Sequence, residues 1–244
     1  MVIDHIGVYF FPDQVGWRMI GRLSLPVWLF LVGYARTRTL GPTLISAAIL
    51  MLIARWAFGE SLLPLNILFT IILARLLIDR IMAVVGEGYL SLIILTVLFG
   101  ALVSATNWLF EYGTQAFLYA MLGYLVRNRD ELAFTPRTVV LFAIAIGILH
   151  GVMQGHLLEV PLAQVALVTV GVVSVSYLLT RFRARTYPQL TERLRGLPSA
   201  GLMIMGRHTL ILYVVHLLLF KVLAAWWLWE HDWLFSGQSF EGED

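Results

Sequence analysis

Long apolar runs recur along the whole of this 244-residue chain, and they constrain its fold more than any other feature. A helix needs ~20 mostly apolar residues to cross the ~30 Å of hydrocarbon in a bilayer. Hydrophobic residues make up 59% of the chain and charged residues only 13%, about half the charged share of a soluble domain. A soluble chain of this length could not hide all of these runs from water, so the sequence predicts an all-α, polytopic integral membrane helical bundle. The runs lie at 41–58, 62–78, 89–106, 138–149, 160–180 and 209–229.

Short polar or Gly/Pro-rich breaks divide the chain into nine predicted transmembrane helices. The first is short, because at 1.5 Å per residue it spans only ~16 Å, about half of a membrane. It is either a half-helix or a helix whose upstream piece is missing because Met1 is an internal start, and we favour the second interpretation. The predicted helices cover 1–11, 17–35, 41–59, 62–82, 88–110, 114–126, 137–157, 160–180 and 208–229.

The domain organisation predicted from these helices is simple. Residues 1–230 form one transmembrane domain, and residues 231–244 form an acidic C-terminal tail. Within the domain, residues 181–207 are rich in arginine and contain two prolines and a short amphipathic piece. Such a segment is expected to lie on the membrane surface rather than to cross it.

The charges of the connections predict which side of the membrane each one faces. Arginines outnumber acids in the connections after the second, fourth, sixth and eighth helices, and acids outnumber basic residues on the opposite side. Short loops rich in Lys and Arg stay in the cytoplasm. We therefore expect the N-terminus to lie inside the cell and the C-terminus outside.

The opening stretch, MVIDHIGVYFF, sets Asp4 and His5 side by side in an otherwise apolar segment. From the predicted helix ends, His5 lies ~9 Å below the outer surface, and Arg22 lies at nearly the same depth. Ionisable side chains inside a bilayer cost several kcal/mol unless they are paired or hydrated, so each marks a candidate functional site. Other polar residues share the outer half, with His216 nearer the midplane: Arg55, Glu60, Asn66, Asn107, Glu111, Tyr112, Gln115, His150, Gln154 and Lys221.

Several of these residues also have a simpler structural interpretation. Asp4 and His5 point about 100° apart on a helix, so the two side chains cannot both face one spot. In the simpler interpretation, one of them merely pairs with Arg22 and holds two helices together. Arg75 and Asp79 are four residues apart and are expected to neutralise each other, and Lys221 is expected to extend toward the interface.

The residue types narrow the chemistry without deciding it. The chain has no cysteine, no histidine pair with metal-ligand spacing, and no basic stripe interleaved with aromatics, so we predict no metal and no nucleic-acid partner. A histidine beside carboxylates and arginine in a low-dielectric cavity suits general-base chemistry on an amine or a hydroxyl. These residues alone indicate an intramembrane transferase or a proton-coupled transporter.

Three segments carry a resemblance to a known family. They are VIDHIG…FFPD…GRLSLPVWLFLVGYARTR near the start, FEYGTQAFLYAMLGYLVR in the middle and GRHTLILYVVHLLL near the end. Together they resemble TraX-type proteins, multi-pass membrane acetyltransferases named for acetylating the pilin N-terminus in conjugation. The last segment is also similar to the final helix of the wider transmembrane acyltransferase group, namely the acyltransferase type 3 and heparan-glucosaminide acetyltransferase families.

The resemblance implies a reaction, its location in the cell and the residues that carry it out. It implies transfer of an acetyl group from cytoplasmic acetyl-CoA, as co-substrate, to an acceptor at the outer face of a bacterial inner membrane. The acceptor would be a protein N-terminus, a glycan or a lipid. His5 would be the catalytic base, Asp4 its partner and Arg22 a helper. Substrate-binding residues would be Asn107, Glu111, Tyr112 and His216.

The acetyl donor, acetyl-CoA, carries phosphates. Arginine is the side chain best suited to bind them, because it is always charged and forms bidentate hydrogen bonds with phosphate oxygens. We expect CoA to be bound at the cytoplasmic helix ends by Arg75, Arg80, Arg127, Arg129 and Arg207. For any single one of these arginines, the simpler interpretation is the ordinary excess of positive charge on the cytoplasmic side. The alternative functions are a proton-coupled transporter, whose polar residues would line both halves of the membrane, and a structural membrane subunit. The clustering of polar residues in one half argues against the transporter.

Overall fold

The computed structural model describes residues 1–86, 88–157, 160–193 and 197–236. Within those ranges the chain is all helical, as predicted, and its nearest approach to sheet is one isolated backbone bridge between Leu65 and Phe110. The helices are α1 (Val2–Phe10), α2 (Val15–Arg22), α3 (Leu25–Tyr34), α4 (Pro42–Ala57), α5 (Ile67–Val85), α6 (Tyr89–Thr106), α7 (Gln115–Arg127), α8 (Pro136–Leu157), α9 (Leu162–Thr180), α10 (Pro188–Arg193), α11 (Leu197–Arg207) and α12 (Thr209–Ser236).

Helix α7 lies at the centre of the bundle. Nearly all of its 13 residues are buried, including polar Gln115 at its first position. Helices α3, α5, α6, α8 and α9 pack around it. Helix α3 approaches most closely at two glycines: an added Cβ at Gly33 would lie 1.8 Å from the carbonyl oxygen of Ala120, and one at Gly123 would lie 2.0 Å from that of Phe30. Small residues allow such close crossings, which supply packing energy where no hydrophobic force acts between helices in lipid.

The outer helices present apolar side chains to the surroundings. On α6, Leu90, Val97 and Ile93 are 69%, 65% and 58% exposed, although the helix has a mean hydropathy of 2.1. A long helix with this surface is stable in hydrocarbon and not in water. The chain is therefore a multi-pass membrane protein.

Length and composition do not confirm the predicted count of nine crossings. Among the described residues, five segments are long and apolar enough to span a bilayer. Helix α4 is apolar but shorter, and α5 carries Arg75, Asp79 and Arg80 within its 19 residues. The five segments are Val15–Tyr34, Tyr89–Thr106, Pro136–Gly155, Leu162–Thr180 and Thr209–Trp227.

Some predicted boundaries also differ. The predicted helix 17–35 is divided into α2 and α3 near Leu23 and Ser24, and the surface segment 181–207 contains the short helices α10 and α11. Helix α12 continues to Ser236, beyond its predicted end. Residues 237–244, most of the predicted acidic tail, lie outside the described residues.

Candidate active site

Helix α1 crosses α2 at Gly21, and this crossing positions the first pair of charged groups. A Cβ at Gly21 would lie 2.3 Å from the Cβ of Asp4, so only glycine lets the two backbones come this close. The next residue of α2 is Arg22, whose Nε lies 3.3 Å from Asp4 Oδ1. Both side chains are largely buried, with 15% and 11% of their surfaces exposed. Asp4 therefore pairs with α2, which is the helix-joining role considered from the sequence.

His5 turns away from Asp4 and meets the last helix of the bundle. Its Nδ1 lies 2.8 Å from Nε2 of His216 on α12, and the two rings stack with centroids 5.1 Å apart. The adjacent positions on α1 thus serve two partners, because successive helical side chains point about 100° apart. His216, rather than Asp4, contacts the His5 ring.

The hydrogen bonds of His216 fix the protons on both rings. His216 Nδ1 lies 2.7 Å from the carbonyl oxygen of Leu212. Because a carbonyl only accepts hydrogen bonds, His216 Nδ1 carries a proton, and Nε2 of the neutral ring is an acceptor. His5 Nδ1 must then donate to His216 Nε2. The lone pair of neutral His5 is left on Nε2, the atom that a general base would use.

The turn between α6 and α7 brings Tyr112 to the same place. Tyr112 has a φ of 67°, a left-handed conformation that is uncommon for a bulky residue and is often found at functional sites. Its hydroxyl accepts a hydrogen bond of 2.7 Å from Arg22 Nη1. The hydroxyl proton therefore remains available to another acceptor.

Glu111, next to Tyr112, has a clear structural role. One of its carboxylate oxygens accepts from the backbone N–H of Ile67 at 2.9 Å, at the N-terminus of α5, where a negative charge is stabilised. The other lies 3.6 Å from Arg55 Nη1. The backbones of Leu65 and Glu111 are also joined by a hydrogen bond of 2.9 Å, so this turn and the start of α5 hold each other.

A second charged group lies across the site. Lys221 on α12 forms an ion pair with Glu60, and Glu60 also lies 3.5 Å from Arg55 Nε. Lys221 is only 5% exposed, so the prediction that it extends toward the interface is wrong. Its ammonium group is held inside by the carboxylate of Glu60, because a buried charge needs a partner.

These groups line one cavity of about 380 Å³, which we call the polar cavity. All of the predicted catalytic and substrate-binding residues line it except His216, which supports His5 from the side. The sequence groups Arg55, Glu60 and Lys221 with the other polar residues of the outer half but does not assign them to the site. Their opposite charges at one depth were the signal that could have done so. The charged and polar lining is Asp4, His5, Tyr9, Arg22, Arg55, Glu60, Asn66, Asn107, Glu111, Tyr112, Tyr213 and Lys221.

A second cavity, of about 290 Å³, lies between α3, α5 and α12, and we call it the apolar cavity. Its α5 wall is formed by Ile67, Leu68, Ile71 and Arg75, which follow one face of the helix for ~12 Å. A small space of about 30 Å³ separates it from the polar cavity and is lined by His5, Arg22 and Tyr213. Tyr213 borders all three spaces.

The arginines predicted to bind CoA do not form one cluster. Arg75 lines the apolar cavity and donates to the carbonyl of Thr39 at 3.0 Å, while Asp79 pairs with Arg38 at 3.1 Å. The predicted Arg75–Asp79 pair is therefore wrong, because a loop arginine reaches the carboxylate instead. The others are dispersed. Arg127 stacks on Tyr34, Arg129 lines a different cavity, and Arg80 and Arg207 are exposed.

Comparison with known proteins agrees with the resemblance in the sequence. An uncharacterised protein of Rickettsia prowazekii (strain Madrid E) is 28% identical over 133 residues, which cover 52% of this chain. The match spans about half of that relative, 52% of its length. No solved structure matches the chain. The family model described as TraX protein matches residues 1–224. This match covers every residue that lines the polar cavity and most of the chain, and the chain therefore belongs to the TraX family.

Proposed function

We propose that this protein is a membrane-embedded acyltransferase that moves an acetyl group from acetyl-CoA to an amine or hydroxyl acceptor. The observation that carries the proposal is the His5–His216 pair, which leaves a lone pair on Nε2 of His5, a residue that lines a cavity inside a membrane bundle. Membership of the TraX family, which is associated with pilin acetylation, agrees with a membrane protein of conjugative pilus processing. It makes a pilin N-terminal amine the first acceptor to test.

In the proposed reaction His5 acts as general base. The acceptor nitrogen or oxygen attacks the thioester carbonyl carbon while its proton passes to His5 Nε2. The C–S bond then breaks, and the CoA thiolate leaves with the proton returned by His5. His216 holds the His5 ring in the productive tautomer through the Nδ1 hydrogen bond.

The negative charge that develops on the carbonyl oxygen needs a donor. The Tyr112 hydroxyl is suited to this role because Tyr112 lines the polar cavity with His5. Arg22 already donates a hydrogen bond to the hydroxyl oxygen, so the hydroxyl proton is free to be donated to the oxyanion. A donor that is oriented before the reaction stabilises the oxyanion without reorganisation. Arg22 is in turn held by Asp4.

The two cavities suit two substrates. The apolar cavity runs from Arg75 to Tyr213, so a phosphate-bearing donor could place its linear, weakly polar arm there and its thioester beside His5. The acceptor would enter the charged polar cavity from the other side. By the positive-inside rule, the Arg75 end faces the cytoplasm of a bacterial inner membrane, where acetyl-CoA is made available.

The test uses purified protein, radiolabelled acetyl-CoA and a peptide with the pilin N-terminus. Wild-type protein is expected to release CoA and label the peptide, whereas His5→Ala should lose ~10²–10⁴-fold in turnover. His150→Ala is the matched control, since His150 is fully buried outside the polar cavity and should have a far milder effect. Near-normal turnover by well-folded His5→Ala would overturn the assignment of the base.

The same preparation separates the transferase from a proton-coupled transporter. Reconstituted in vesicles, a transporter would acidify the lumen or accumulate a solute without consuming acetyl-CoA. Neither effect is expected here, because the charged residues collect in the polar cavity while the neighbouring passage is apolar.

A further inference from the structure

A third cavity, of about 610 Å³, lies where the C-terminal ends of α7 and α9 meet the start of α8, and we call it the arginine cavity. Arg129, Arg181 and Arg183 line it, with Asp130 as its one carboxylate. It shares no lining residue with the polar or apolar cavity, so its ligand is independent of the proposed acetyl transfer.

Two of the arginines are held in place by backbone carbonyls or an aromatic ring, and not by a carboxylate that would neutralise their charge. Arg129 donates from Nε to the carbonyl of Val126 at 2.9 Å and from Nη2 to the carbonyl of Phe182 at 2.6 Å. The guanidinium of Arg181 lies 4.7 Å from the ring centroid of Tyr177. In the described part of the chain, none of the cavity's three arginines forms an ion pair.

Buried apolar residues also line the cavity. Val126, Phe134 and Val139 are buried residues that line it. The lining therefore combines a net positive charge, from three arginines and one aspartate, with an apolar surface. Arg129, Arg181 and Arg183 also lie at or just after the ends of apolar helices, the depth at which lipid headgroups meet the protein.

We propose that the arginine cavity binds the phosphate headgroup of an anionic phospholipid, with part of an acyl chain against the valine and phenylalanine wall. Arginine binds phosphate oxygens with two parallel hydrogen bonds and is always charged at physiological pH. Basic pockets between transmembrane helices are recurrent sites for anionic lipids. The apolar wall is what distinguishes this ligand from a soluble phosphate compound.

The experiment places the full chain in nanodiscs of equal parts phosphatidylglycerol and phosphatidylcholine and measures retained lipid by native mass spectrometry. Wild-type protein is expected to retain one phosphatidylglycerol in preference to phosphatidylcholine. The double variant Arg181→Gln/Arg183→Gln should lose that preference by about thirtyfold, since each cation near the headgroups contributes about a factor of five. Asp130→Asn should strengthen it.

The matched control is Arg137→Gln/Arg185→Gln, which removes two exposed arginines nearby that do not line the cavity. It should retain the lipid as wild type does. Equal loss in both double variants, or no lipid preference in wild type, would overturn the proposal.

A second measurement distinguishes a lipid from a soluble phosphate. Val140 lines the apolar wall, so Val140→Phe should displace the acyl chain and reduce lipid retention. Calorimetry with inorganic pyrophosphate in neutral detergent is expected to show only weak binding. Tight pyrophosphate binding that Val140→Phe leaves unchanged would assign the cavity to a soluble ligand and overturn the lipid assignment.

Discussion

His5 on α1 and His216 on α12 form a 2.8 Å contact between ring nitrogens across 211 residues of sequence. The Leu212 carbonyl fixes the proton on His216 Nδ1 and thereby leaves Nε2 as the basic nitrogen of His5. We therefore expect His216→Leu to lower kcat by ~10–100-fold with little change in the KM for acetyl-CoA. Kinetics with the peptide acceptor would show this split. A purely structural role for His216 would instead lower stability and leave kcat per folded molecule unchanged.

His208→Ala is the control for this prediction. His208 is exposed at the junction of α11 and α12 and does not contact His5. Its removal should leave kcat and KM as in wild type. His216→Gln should recover part of the lost turnover, because the side-chain oxygen of glutamine can accept a hydrogen bond from His5 Nδ1.

Tyr112→Phe removes the hydroxyl that we assign to the oxyanion. The expected loss in kcat is ~10²–10³-fold, the usual effect of losing one such donor. The ring that stacks near Arg22 is retained, so the protein should still fold. Tyr89→Phe, at the exposed start of α6, is the matched control and should keep full turnover. A Tyr112→Phe protein with normal kcat would remove Tyr112 from the mechanism.

Asp4 and Arg22 are expected to be strongly coupled in stability. Removing one partner leaves a largely buried charge alone, which costs about 3–5 kcal/mol. Asp4→Ala and Arg22→Ala should each lower the thermal midpoint in detergent, and the double variant should lose much less than the sum of the two. Additive losses in this double-mutant cycle would show that the 3.3 Å contact contributes little.

The apolar cavity predicts a selective effect on the donor. Ile71→Trp would fill the passage that Ile71 lines between Arg75 and Tyr213, so the KM for acetyl-CoA should rise at least about tenfold, the effect of about 1.4 kcal/mol. Leu76→Trp, on the same helix but 54% exposed, is the control and should not change that KM. Equal KM values for the two variants would mean that the donor takes another route.

The orientation of the chain is tested by fusing a reporter that is active only in the cytoplasm. The arginine-rich connections are expected to stay inside and the C-terminus to lie outside. A fusion after Asp244 should therefore be silent, while a fusion in the connection after Arg129 should be active. Activity of the Asp244 fusion would reverse the assignment of sides.

The local part of this structure could be predicted from the sequence. Apolar runs such as 89–106 predict membrane helices, because the transfer of each segment into hydrocarbon depends on its own composition. Ionisable residues such as Asp4, His5 and Arg22 mark the candidate site for the same reason, since each is costly in a bilayer wherever its partner lies. Helix starts and breaks were less accurate, as the division near Ser24 shows.

The pairing of those residues was decided by the tertiary structure alone. Asp4 pairs with Arg22 because Gly21 lets two backbones cross closely, and His5 turns to His216 because α12 returns beside α1. Lys221 stays inside because Glu60, 161 residues away, reaches it. The sequence by itself determined which segments enter the membrane and which residues are costly there. Only the packing of the helices determined which charges meet, because that depends on crossings and distances between residues far apart in the chain.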